Sequence, residues 1–193
     1  MTERTATQAP SGFHIMMPPG WVRYLVDDEG KRALITQTSA RMKDLSRPDL
    51  DAQARTLVEA QWRRLVQTGV TAVYLPVETT EILPPASIAV RQHVAPAGVS
   101  FEASLRTVAG STLEAFDTRI GRILRWRSEA QGKGDLSSIR TRQIGYGIAL
   151  PGGGDRRGLV FVAAIPFPDG ADPVMVEAMT ELSDTIMETF RWR

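Results

Sequence analysis

The sequence predicts one α+β domain, an antiparallel sheet of about six strands with helices over both of its faces. Three observations carry this reading. About six short segments alternate apolar side chains with period two, while two longer ones repeat them at helical spacing. The last three strand segments are joined by glycine-bearing linkers, QGKGDLSS and GGGDRRG, so consecutive antiparallel hairpins are the shortest connection. One of these strands, LVFVAAIPF, is apolar on both sides, with Phe161, Ala163 and Ile165 against Val160, Val162 and Ala164, as expected of a central strand covered on both faces.

Residues 12–18 set Phe13, Ile15 and Met17 against His14 and Met16, a strand with one face in a core. Pro18, Pro19 and Gly20 end it, and Trp21 follows, where its ring can fold back over the sheet end as a plug. Residues 31–43 fit two periods: Ala33 and Ile35 suit a strand, Leu34, Thr38 and Met42 a helix, so a strand or short helix is expected. After Ser46, Pro48 and Asp49, the set Leu50, Ala54, Leu57, Val58, Trp62, Leu65 and Val66 predicts an amphipathic helix that Gly69 stops.

The segment VTAVYLPVE then alternates as a strand with Pro76 near a sheet edge, and a turn at Pro84-Pro85 leads to ASIAVRQHV, its antiparallel partner, with Ile88, Val90 and Val94 in phase. Residues 100–110 predict a short helix capped by Ser100, with Phe101, Leu105 and Val108 inward and Gly110 at its end. In TRQIGYGIALP, Ile144, Tyr146, Ile148 and Leu150 share one side, and Gln143, Gly145, Gly147 and Ala149 the other. A helix can approach closely over that glycine side. Asp172 caps a final helix over 173–190 with Val176, Met179, Leu182, Ile186, Met187 and Phe190 on its apolar face.

Residues 1–11 are expected to form a disordered or extended tail, and residues 12–193 a single domain. A chain of 193 residues buries roughly 70% of its unfolded surface on folding. With no cysteine, it has no disulfide, thiolate metal site or cysteine nucleophile. The first ten residues carry no apolar stretch of a signal peptide, and a cytoplasmic protein is the expectation. The 23 basic and 22 acidic residues give a net charge of +1, so no global field draws the molecule to nucleic acid or anionic lipid.

The opening segment GFHIMMPPGW, with Phe13, Pro18, Gly20 and Trp21, precedes a long helix closed at Gly69 and a strand with Val73 and Tyr74. The chain ends on an apolar strand, a proline break and a helix, marked by Phe161, Pro166, Phe190 and Trp192. This order resembles the Mog/PsbP-like α/β/α sandwich superfamily, in particular its compact actinobacterial branch. The resemblance implies an accessory protein: better-known members bind a small GTPase in nuclear import or stabilise an oxygen-evolving complex, and some bacterial envelope relatives are lipoproteins. It transfers no catalytic residue, and the cysteine of the lipoprotein branch is missing here.

Catalytic signals are sparse. His14 and His93 both fall on strands without carboxylates at ligand spacing, and no nucleophile elbow, Walker sequence or H-E-x-x-H occurs. Gly145-Tyr146-Gly147 lacks the third glycine of a dinucleotide fingerprint, and Asp27-Asp28-Glu29 before Gly30 reads as a turn. No catalytic residue, cofactor or metal is expected. Charge is segregated, however. Arg119, Arg122, Arg125, Arg127, Lys133, Arg140 and Arg142 crowd residues 118–142, whereas residues 172–188 hold Asp172, Glu177, Glu181, Asp184 and Glu188 and no base.

Arg119, Arg125 and Arg127 share one strand parity with Ile123, and Leu124 and Trp126 the other. The arginines then either form an outward row that docks an acidic partner or phosphates, or lie beneath the acidic helix and pair with it. Candidate partner-binding residues are Arg119, Arg125, Arg127, Arg140, Arg142 and, in the glycine loop, Arg156 and Arg157. The expected function is a non-enzymatic interaction or accessory module that docks another protein, as a monomer or homodimer, without nucleic acid or membrane insertion. The alternative is a small-molecule binder with an apolar cleft between the glycine-faced sheet and a helix, an arginine holding an acidic head group.

Overall fold

The computed structural model describes residues 10–77, 86–118, 121–152 and 154–193. Arg119, the turn expected at Pro84-Pro85, Gly153 and the first nine residues of the expected tail lie outside the described residues. The main sheet is antiparallel and seven-stranded: β2 (Trp21–Leu25), β3 (Val70–Pro76), β4 (Ser87–Val94), β5 (Glu114–Thr118), β6 (Gly121–Gln131), β7 (Ile139–Ala149) and β8 (Arg157–Pro168), in the order β2-β3-β4-β8-β7-β6-β5. The expected hairpins β6-β7-β8 and the β3–β4 pair all form. The helices are α1 (Asp28–Asp44), α2 (Asp51–Gln67), α3 (Phe101–Ala109) and α4 (Pro173–Glu188). Among the described residues no helix is long and apolar enough to cross a membrane.

The opening segment corrects one expectation. β1 (Phe13–His14) is only two residues long and pairs outside the main sheet with β9 (Arg191–Trp192), joining the two ends of the chain. Its alternation is as read, since Phe13, Ile15 and Met17 all pack on the main core. Trp21 is the first residue of β2, an edge strand opposite Pro76, and its half-buried ring packs on the main core. Trp192 packs edge-on against Phe190, which in turn stacks on Phe13, at centroid distances of 4.9 and 5.8 Å.

The ambiguous segment 31–43 is helical. Asp27 caps α1 by accepting the Gly30 N–H at 2.8 Å, so the acidic cluster read as a turn is a helix start. Gly30 is required there because a Cβ would overlap the Leu25 carbonyl oxygen. The α1 periodicity was hard to read because the helix buries only Gly30 and Ser39. On α2 the predicted apolar face is only partly inward: Trp62 is buried, but Leu57 and Val66 are 59% and 57% exposed. Similarly, α3 is capped by Ser100 and buries Phe101 and Leu105, while Val108 faces out.

The two sides of the sheet meet different helices. Ile88, Val90, Ile144, Tyr146, Ile148, Phe161 and Ile165 cluster with Met179, Ile186 and Met187 of α4. Their strand neighbours point the opposite way. Leu124, Trp126, Val160 and Val162 pack with Phe101 and Leu105 of α3, and Tyr24, Val73 and Ala89 with Trp62 of α2 and Leu34 of α1. The close approach expected over the glycines is real: a Cβ on Gly147 would overlap Leu105 Cδ1, and one on Gly145 would overlap the Trp126 ring. Gly147→Val is therefore expected to lower the unfolding free energy by about 1–3 kcal/mol through overpacking. Denaturant titration checks this, and a wild-type midpoint would show that α3 is not seated on Gly147.

Candidate binding site

The helix α4 carries two stripes. Val176, Met179, Ile186 and Met187 enter the core. Beside them Glu177, Asp184 and Glu188, on neighbouring turns, are displaced toward β5 and β6 and line a cleft of about 490 Å³ with Phe116, Ile123 and Arg125. Helix and strand periodicities thus bring charges 59 residues apart in sequence into contact.

Arg125 makes the central contact. Its Nε donates to Asp184 Oδ1 at 2.7 Å and its Nη2 to Oδ2 at 2.8 Å, a bidentate fork. The Tyr146 hydroxyl donates to the same Oδ1 at 2.8 Å, and Glu114 Oε2 lies 3.8 Å from Arg125 Nη1. The Arg125 side chain is only 11% exposed. Burial alone would lower its pKa, but the hydrogen bonds and charge of Asp184 hold it above the ordinary guanidinium value. Burial, and then the Asp184 carboxylate, push the Tyr146 phenol up, so it stays a donor.

Four further candidate arginines, Arg127, Arg140, Arg142 and Arg156, are also engaged. Arg127 Nη1 lies 3.4 Å from Glu177 Oε1, and Arg142 Nη1 is 2.8 Å from Glu177 Oε2. Arg142 and Arg140 share Glu129 at 3.0 and 2.9 Å. Arg156 donates from Nε and Nη2 to the Ala95 carbonyl, tying the glycine loop to the chain after β4. Arg157 opens β8 opposite Val94 and is exposed. Of the two arrangements open to the arginine row, Arg125 and Arg127 therefore adopt the internal one. Arg125, Arg127 and Arg142 meet beneath α4, while Arg156 and Arg157 lie elsewhere. The cleft expected over the glycine side is filled by Phe101, Leu105 and Trp126, and the cleft beside these strands lies on their other face.

Asp184 belongs to the acidic set legible in the sequence, whereas the site roles of Tyr146, Glu114 and Phe116 carry no sequence signal. The spacing of Glu177, Asp184 and Glu188 along one helix edge was the available signal for Asp184. Among the described residues no group of three or more His, Asp or Glu could hold a metal ion. His93 lies on the opposite face, with Nε2 2.9 Å from Ser104 Oγ and its ring edge-on to Phe101.

Asp184→Ala leaves a sealed guanidinium without its counter-charge and is expected to cost about 3 kcal/mol, most of it recovered by combining Arg125→Met with Asp184→Leu. A double-mutant cycle measures this, and a coupling below about 0.5 kcal/mol would show that the pair does not hold α4. The second expectation concerns pH. Burial, and then the charge of Arg91, lower the His93 pKa below its ordinary 6.5. The unfolded chain then takes up a proton at higher pH than the folded one, so this contribution is complete above the unfolded value and is lost as pH falls through the folded one. Stability should decline as pH falls from about 7 to 5.5, and His93→Gln should flatten that decline in pH-dependent denaturation.

No family model, curated protein or solved structure matches this chain.

Proposed function

We propose that the protein is a non-enzymatic accessory module of the Mog/PsbP-like α/β/α sandwich type that docks another protein in the cytoplasm. The cleft between α4 and β5–β6 is its docking site. One observation carries the reading: α4 neutralises the arginines of β6 and β7, and what stays open along this edge is an aromatic ring with carboxylates. Phe116 is 46% exposed; Glu188 lines the cleft with it and has no ion pair among the described residues, and the exposed Glu114 reaches Arg125 only at 3.8 Å. A large ring beside an unneutralised charge is the kind of surface that recognises a partner. The expected arginine contacts thus give way to an acidic, aromatic contact.

The cleft volume also favours a second reading, a small-molecule site, since about 490 Å³ falls within the usual range of ligand pockets. An acidic head group, however, would have to displace Asp184 from Arg125, whose fork is already filled. The two readings separate experimentally. Affinity capture from native lysate with wild type and with the double variant Phe116→Arg, Glu188→Lys is expected to lose its partner only in the variant. Thermal denaturation confirms that the variant is folded. Identical recovery by both proteins, with a melting temperature raised by a fatty acid or nucleotide, would replace the docking reading with the ligand one.

A further inference from the structure

We infer that the free edge of β5 accepts an extended, basic segment of a partner protein, which adds antiparallel as an eighth strand of the main sheet. The inference rests on the docking reading of the cleft and names the chemistry of its occupant. Among the described residues β5 is the last strand in the sheet order, and β6 is its strand partner. Every second residue of such a strand turns its N–H and C=O outward, a template for one more strand. At the opposite edge, β2 has α1 alongside it, with Leu34 packed near Tyr24 and Gln37 hydrogen-bonded to the Tyr24 hydroxyl. Residues Glu114, Ala115, Phe116 and Asp117 of β5 are all exposed.

Charge selects the occupant. Glu114, Asp117 and Glu188 surround this edge; Arg125 and Arg127 are bound to Asp184 and Glu177, Arg125 also standing 3.8 Å from Glu114, and Arg122, opposite Asp117, lies 3.7 Å from Glu102, so carboxylates remain in excess here. A second copy of the chain would bring the same carboxylates against this acidic edge, and like charges across a strand pair are unfavourable. A segment carrying lysine or arginine is complementary.

The register specifies more. Glu114, Phe116 and Thr118 pair with Arg125, Ile123 and Gly121, so they share the α4 face, and Asp117 pairs with Arg122 on the other face. An antiparallel incoming strand therefore meets Asp117 with a basic residue, Phe116 with an apolar one, Ala115 with any residue and Glu114 with a second base. Read from its N-terminus, the partner motif is basic, apolar, any, basic.

The test uses the full chain and a capped peptide, Thr-Arg-Phe-Thr-Arg-Thr, followed by amide-resolved NMR titration. The basic peptide should bind at least about tenfold more tightly than Thr-Glu-Phe-Thr-Glu-Thr, and the double variant Glu114→Gln, Asp117→Asn should erase most of that preference. N-methylation of alternate peptide residues should weaken binding about tenfold in one phase and little in the other, a signature that simple charge attraction does not produce. The inference is overturned by undetectable binding, by equal binding of the acidic peptide or by equal tolerance of both methylation phases. A dimer in sedimentation that the Phe116→Arg variant dissociates also overturns it, because a second copy then occupies the edge. Lysate capture that depends on the cleft, combined with any of these results, leaves docking standing and sinks only the basic strand; capture indifferent to the cleft variant sinks docking itself.

Discussion

The guanidinium of Arg125 sits almost sealed between the sheet and α4, and the placement of that helix depends on it. A charge in such a position is tolerated only with a counter-charge and filled hydrogen-bonding positions, and Asp184 supplies both through its two oxygens. Tyr146 completes the carboxylate's partners from the neighbouring strand. The apolar ridge of α4 supplies attraction without direction, whereas a two-pronged ion pair allows one axial position of the helix over β6 and β7. Once α4 is set there, Phe190 enters the core beyond its last turn and stacks on Phe13, and the end of the chain meets its beginning as β1 and β9.

The other face of the same strands is built on an opposite rule. Between β6, β7 and β8 it presents Gly145, Gly147 and Gly158, so backbone and ring come close where side chains would otherwise stand. Trp126 lies over Gly145, and Leu105 and Phe101 of α3 fill the space over Gly147 and Gly158. Over these strands α3 closes that side. On the α4 face, bulky side chains and paired charges raise the helix enough for a cleft to remain beside it. Beside β6 and β7 the cleft therefore lies on the parity of β7 that carries no glycine.

The elements readable from sequence were those whose environment differs sharply between two sides. β3, β4, β6, β7 and β8 alternate between buried and less buried residues or lie in the centre of the sheet, and α4 carries a continuous apolar stripe. β5 escaped notice because the sequence EAFDT is an edge strand with nearly every residue exposed, which leaves no periodicity to detect. β2 has only three residues of one parity and two of the other, and it follows the Pro18-Pro19-Gly20 turn directly. α1 has no apolar stripe because it contributes little to the core, and its Asp27 cap, three residues before Gly30, was the stronger sign of its start.

The candidate arginines show the same division. Their strand parity was legible: Arg125 does lie on the side of Ile123, opposite Leu124 and Trp126. Which side of the sheet α4 would cover was not, because that choice depends on contacts between residues 50 and more positions apart. By itself the sequence determined most of the antiparallel strands, the Ser100 and Asp172 caps and the separation of acidic from basic segments, since these follow from local backbone preferences and from spacing along the chain. Only the tertiary structure decided that the basic row pairs inward and that the acidic edge is left exposed, because an ion pair forms where two surfaces are brought together, and each surface alone is complementary to many others.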